Sequence, residues 1–397
     1  MLNATIILKI VSAVLLLVAG PLAGMAPQRP VVPAATEQLL PFAMERATIA
    51  NPALAAWNAA PSDPCGHGAC LSPELDVFYH LPAHAKAVAY VFHGGRGSAQ
   101  MWITGEEEAA LVGDLVRDGY AVVLLESTHR PIDRNWFFPD PQRFDPASFD
   151  NPGPAAIRDA WSATVNADEQ LVRDVHLQLG FDGATKVFLV GFSSGAKFAS
   201  AIAYNLQLDP PALGDFAYTS ARLSTGGGLN VRAAAVYNNV GVPYYFGNYI
   251  PGPGDPAAVA KTYAYDTPTI FNYGRNDPKN DPAEVAANAA FLGALPTPVP
   301  FESNLAEPAA LLPDRFARVL GVSYVESRAL YAALSANAAY VDAAGLVQPA
   351  ADDAPALLRL SLAKRKGVQA QLQVLRAEHH VSSQFHARTV AFFDAHL

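Results

Sequence analysis

The 397-residue chain has only two cysteines, Cys65 and Cys70, with His67 between them. Three such ligands are one short of a structural zinc set, so no metal is expected. Charge is also sparse. Only 16% of residues are charged, and the net charge of −9 argues against a nucleic-acid partner. No internal repeat stands out. The glycine-rich stretch His93-Gly94-Gly95-Arg96-Gly97-Ser98 lacks the lysine and Ser/Thr of a phosphate loop, and its glycines are wrongly spaced for a dinucleotide fingerprint. No cofactor is expected.

Half the residues are hydrophobic, ample for one large core with an insertion. Lys9 precedes an apolar run, Ile10 to Gly20, and residues 1–26 read as a signal peptide or N-terminal anchor. Export, secreted or periplasmic, follows. Membrane contact is expected only if this segment is retained. No cysteine stands directly after it, as a lipid anchor would need. Residues 27–60 are Pro- and Ala-rich and read as a linker. In an exported chain Cys65 and Cys70 most simply form a local disulfide.

The most informative segment is Val187-Phe-Leu-Val-Gly191-Phe192-Ser193-Ser194-Gly195-Ala196. An apolar strand runs through G-x-S-x-G into a small-residue helical pattern, the setting of a nucleophile elbow. A turn that tight leaves room only for glycine two residues before and after the serine. It lifts the Ser193 hydroxyl above the sheet and places the Ser194 N–H at a helix N-terminus, where it can meet an oxyanion.

An acid and a base follow in that order. Thr267 to Gly274 reads as a strand, and Asp277 follows three residues later, where it can orient an imidazole. Asp281 reads instead as a helix N-cap. Val368 to Leu375 alternates as a final strand, and the loop after it offers His379 as the base, with His380 as the alternative. His386, in a closing helix, reads as a surface residue. The strand Ala87–Phe92 runs into His93–Ser98, whose open backbone suits a second oxyanion donor, Gly95, with Arg96 next.

Strands alternating with helices imply a mostly parallel sheet covered on both faces. Residues 61–282 and 367–397 are expected to form this domain. Residues 283–366, with helical spacing at 283–295, 309–320, 323–338 and 354–363, are expected to form a helical cap between the acid strand and the last strand. The loop 127–154 carries Trp136 and Phe137, which with Arg96 are candidate substrate contacts; simple packing of the loop is the alternative.

The segments His93–Ser98, Gly191–Gly195, Gly274–Asp277 and His379 resemble an α/β-hydrolase serine esterase, most nearly the secreted polyhydroxyalkanoate-depolymerase-like and feruloyl-esterase-like enzymes. The resemblance implies an α/β-hydrolase fold and acyl transfer from a small or polymeric ester. It departs from that group in the link of about a hundred residues between acid and histidine, usually short there. A serine peptidase or amidase on the same residues, and a non-catalytic binding protein keeping the fold, are the competing readings.

Overall fold

Runs such as Ala87–Phe92 and Tyr120–Leu125 are buried along their whole length, so both faces of the sheet they build must be covered. The computed structural model describes residues 39–50, 74–127, 136, 168, 171–205, 228–239, 241, 266–293 and 297–397. The N-terminal segment, most of the linker, the Cys65–Cys70 pair and Phe137 lie outside the described residues. Among the described residues no helix is long and apolar enough to cross a membrane.

Among the described residues eight strands form one sheet: β1 (Glu45–Ala50), β2 (Glu74–His80), β3 (Ala87–Phe92), β4 (Tyr120–Leu125), β5 (Lys186–Phe192), β6 (Asn230–Tyr237), β7 (Thr269–Gly274) and β8 (Phe301–Ala306). Their spatial order is β1-β2-β4-β3-β5-β6-β7-β8. β2 runs antiparallel to both its neighbours, and every pairing from β4 across to β8 is parallel. This is the α/β-hydrolase fold.

Alternate residues of each strand face opposite ways, and the core divides accordingly. Val88, Tyr90 and Phe92 pack with helix α2 (Ser194–Asn205) through Ala196, Phe198 and Ile202. Ala89 and Val91 pack on the other face with helix α1 (Glu106–Arg117) through Leu111 and Leu115, and with Phe392 and Phe393 of the closing helix. Helix α3 (Pro282–Gly293) joins β7 to β8 and puts Val285 and Leu292 into the first of these clusters.

The last strand is not where its alternation predicts. Residues 368–375 belong to helix α5 (Leu362–Leu375), which follows α4 (Tyr324–Ser335). Val368, Leu372 and Leu375 are buried at helical spacing, and the Gln and Ala between them and the Lys and Arg before them are strong helix formers. The alternation of apolar residues with Gln is incidental to the face that packs. Strand β8 lies instead within the stretch expected to be wholly helical. Its sequence Phe-Glu-Ser-Asn-Leu-Ala is half polar because it is an edge strand, exposed over its first three residues. The span 309–320 yields only a 3-10 turn at Arg315–Arg318, and 354–363 a short helix, Pro355–Leu358, followed by the start of α5.

After β8 the chain builds a third hydrophobic cluster, including Phe316, Val319, Leu330, Leu334, Val347, Leu357, Val368 and Leu372. Ala309 N–H donates to the Leu375 carbonyl at 2.8 Å, so this segment closes on itself before the chain returns to the sheet. The helix α6 (His386–Asp394) ends the fold.

Candidate active site

The turn after β5 is strained as the motif requires. Ser193 has φ +54°, a left-handed conformation costing a side-chain-bearing residue about 1 kcal/mol or more. Its N–H donates to the Tyr237 carbonyl at 2.9 Å, and its carbonyl accepts from Ala196 and Lys197 at the start of α2. A Cβ on Gly191 would lie 2.2 Å from the Gly195 carbonyl oxygen, and one on Gly195 would lie 2.4 Å from the backbone oxygens of Phe92 and His93. Both glycines are therefore compelled by backbone contact.

β7 delivers the carboxylate. Asp277 follows the turn after Gly274 and accepts hydrogen bonds from the N–H groups of Lys279 and Asn280, at 2.8 and 3.3 Å, and from Asn280 Nδ2 at 2.8 Å. Burial raises its proton affinity, but these donors and the imidazole of His379 outweigh that and hold the carboxyl below its usual range. Asp281 caps helix α3 through the Ala283 N–H at 2.8 Å and takes no part in the cluster.

His379 joins the two. Its Nδ1 lies 2.8 and 2.9 Å from the Asp277 carboxylate oxygens, and its Nε2 lies 2.8 Å from Ser193 Oγ. A carboxylate only accepts, so Nδ1 carries the proton and Nε2 presents its lone pair to the serine hydroxyl. The Phe192 ring packs beside the imidazole, with centroids 5.1 Å apart. His380 turns away. Its Nε2 pairs with the Gln373 side chain, and burial with the adjacent His379 pushes it down to about 4. It is neutral near pH 7 but does not reach Ser193 by the bonds it makes.

Two asparagines that the sequence did not single out complete the arrangement. Asn280 Nδ2 also donates to the Asn238 carbonyl at 2.8 Å and lies 3.3 Å from His379 Nδ1, so both N–H groups converge on Asp277. Asn238, with φ +49°, accepts from the Gly274 N–H at 3.1 Å and donates to the His380 carbonyl. An asparagine three residues after the acid was the available signal, since such side chains fold back on local turns.

The loop after β3 lies against the elbow. A Cβ on Gly94 would lie 3.4 Å from Ser193 Cβ and 2.6 Å from the Phe192 ring. Gly95 and Arg96 are exposed beyond it, Arg96 with φ +62°. Ser194 begins α2, so its N–H has no partner within the helix. Of the aromatic candidates, Trp136 is a correction. It is buried and stacks on Phe198 at 4.7 Å between centroids, with Phe92 and His93 each at 5.1 Å. Its side chain is part of the core rather than exposed to an open cleft. His386 is likewise buried, its Nδ1 3.4 Å from an Asp114 carboxylate oxygen, not a surface residue.

No protein-family model and no curated protein matches the chain. Among solved structures it is similar to the Pyrococcus furiosus esterase Pf2001, at 12% identity over 58% of this chain and 78% of that one, with a TM-score of 0.33. It is similar to acyl-protein thioesterase 2 of Zea mays, at 18% identity over 62% and 95%, with a TM-score of 0.36. A third is Est1E of Butyrivibrio proteoclasticus with ferulic acid bound, at 12% over 59% and 85%, with a TM-score of 0.34.

Proposed function

We propose that the chain is a serine carboxylic-ester hydrolase in which Ser193 is the nucleophile, His379 the base and Asp277 its orienting acid. The carrying observation is His379 held between the Asp277 carboxylate and Ser193 Oγ, with 2.8 Å contacts on both sides. As Oγ bonds to the ester carbonyl carbon, Nε2 takes its proton, and Asp277 steadies the imidazolium. The carbonyl oxygen becomes an oxyanion facing the N–H of Ser194 and, from the loop after β3, that of Gly95. Collapse expels the alkoxide, which leaves as alcohol with the proton from Nε2. Water then repeats the sequence on the acyl-enzyme, releasing the acid and freeing Ser193.

Export through residues 1–26 belongs to the same proposal, as does a cap shaping the acyl pocket, drawn from the part of 283–366 that follows β8, since α3 and β8 belong to the sheet and its core. The cap is supported by where the segment leaves and rejoins the sheet. β7 and β8 end together, and the base loop packs against Gly274 at that same edge.

Nitrophenyl esters of increasing acyl length, a feruloyl ester and a polyester film, each with Ser193→Ala as control, provide the test. Hydrolysis that vanishes in Ser193→Ala, with organophosphate labelling of Ser193, is expected. A chain that cleaves a matched amide as fast as the ester is a peptidase or amidase instead. One that neither cleaves nor labels overturns the proposal.

A further inference from the structure

The loop that presents His379 is gripped at both ends by charged groups tied to the helical segment after β8. At the near end stands Arg376, whose side chain is only 6% exposed. Its guanidinium reaches the Asp352 carboxylate twice, at 3.0 and 2.8 Å, and that of Glu378 twice, at 2.7 and 3.1 Å. Asp352 lies in the 3-10 turn Pro349–Asp353 of the helical segment, and its carbonyl accepts from Gln369 of α5 at 2.9 Å. Glu378 directly precedes His379. The backbone here is tied to the acid loop as well, because Asn276 donates to the carbonyls of Arg376 and Ala377 at 2.9 and 3.0 Å. Ala377 itself has φ +57°.

At the far end stands Glu107 of α1, its side chain 4% exposed. One carboxylate oxygen accepts from Arg315 at 3.1 Å and Arg318 at 3.4 Å, both on the helical segment; the other accepts from the Ser383 N–H at 2.6 Å. Arg318 also reaches Ser383 Oγ at 2.9 Å. Burial works against the charge on both Glu107 and Arg315. For Glu107 the arginines and Ser383 outweigh it and hold the carboxyl below its usual range; for Arg315 burial wins and lowers its proton affinity, though an arginine stays charged.

A buried charge stripped of its partner must find another or be expelled, so each cluster defines where its backbone sits. Between them lie only Ala377 to Ser382. We propose that the helical segment positions the base, with Asp352 acting through Arg376 and Glu378, and Arg315 and Arg318 acting through Glu107 and Ser383. None of these touches the reacting atoms. They are positioning residues, and the inference rests on His379 being the base. It gives the segment a part in turnover whether or not it covers substrate.

The test uses the full chain carrying Asp352→Asn or Arg318→Gln, both at partly exposed side chains, with Asp352→Glu as the conservative rescue and Lys364→Gln as control. Lys364 pairs with Glu326 inside the same segment, at 2.9 Å, away from the base loop. Asp352→Asn is expected to lower kcat on a nitrophenyl ester about ten- to a hundredfold, the scale of an ångström's misplacement. KM should stay within about twofold, since binding is not what is lost. Asp352→Glu should recover part of kcat, and Lys364→Gln should leave it alone. A second readout needs no substrate. The downfield proton resonance of His379 Nδ1–H, identified by its loss in His379→Ala, should persist in Ser193→Ala and broaden in Asp352→Asn and Arg318→Gln. Variants that lose thermal stability but keep both wild-type kcat and the resonance overturn the inference. A wild type inactive on every ester, whose resonance still broadens in the two variants, removes the esterase reading and leaves the positioning role standing.

Discussion

Gly274 and Ala377 touch through their backbones: a Cβ on Gly274 would lie 2.0 Å from the Ala377 carbonyl oxygen. The end of the acid strand and the start of the base loop are thus in direct contact, two residues before His379 and three before Asp277. Gly274→Ala must separate them, and overpacking against fixed backbone has no cheap relief. Stability is expected to fall by about 2 kcal/mol or more, with a larger proportional loss of activity than of folded protein. Urea unfolding beside active-site titration checks this; a variant with wild-type turnover per folded molecule contradicts it.

Ser193→Ala should reduce turnover by roughly four to six decades while leaving the fold intact. Ser194→Ala should be mild, because its Oγ is buried and finds no hydrogen-bond partner among the described residues. Thermal unfolding measures the stability and a nitrophenyl ester the activity. The reverse ranking would shift the nucleophile by one residue.

The two histidines should separate as sharply. His379→Ala is expected to match the loss in Ser193→Ala, and His380→Ala to change turnover by less than about tenfold. Asp277→Asn keeps the shape of the acid but no longer fixes the imidazole tautomer, and a drop of about four decades is expected. If Asp277→Asn retains most of its activity, another group orients the base.

Glu108 supplies a pH-dependent prediction remote from the chemistry. Burial first, then Glu107 and Glu106, push its carboxyl up to about 8. Between its ordinary value and 8 the unfolded chain gives up a proton that the folded chain keeps. Its stability contribution is therefore full below the ordinary carboxylate range and is lost as pH rises through 8. Glu108→Gln removes that slope. Relative to wild type, the variant should gain on the order of 3 kcal/mol between pH 5 and pH 8. Urea unfolding at the two pH values decides, and parallel curves would refute it.

How far the sequence carried depended on whether a feature was local. The elbow was legible because its geometry is written in two glycines, Gly191 and Gly195, whose replacement collides with backbone. Chain order singled out Asp277 and His379, and the two side chains do pair. Helix α5 was misread because Gln369, Gln371 and Gln373 mimic the polar side of a strand, while the buried set follows the helical period. β8 was missed for the opposite reason: a half-exposed edge needs few apolar residues, and the prolines just before it, Pro296, Pro298 and Pro300, resembled a helix break. Trp136 showed that an aromatic beside a strand end gives no sign of its direction. Asp352, Arg376 and Glu107 act through pairings 24 to 276 residues apart in sequence, which no local pattern encodes.

The closure of Ala309 on Leu375 bears on how the site comes together in time. Asp277 and His379 are 102 residues apart along the chain, a long loop to close in an unfolded polymer. A segment with its own core, pinched shut at its neck, shortens the effective loop to roughly a third of that, sparing about 1 kcal/mol of closure entropy. The residues that lengthen the sequence between acid and base are the ones that, once folded, let the two find each other as quickly as if most of them were absent.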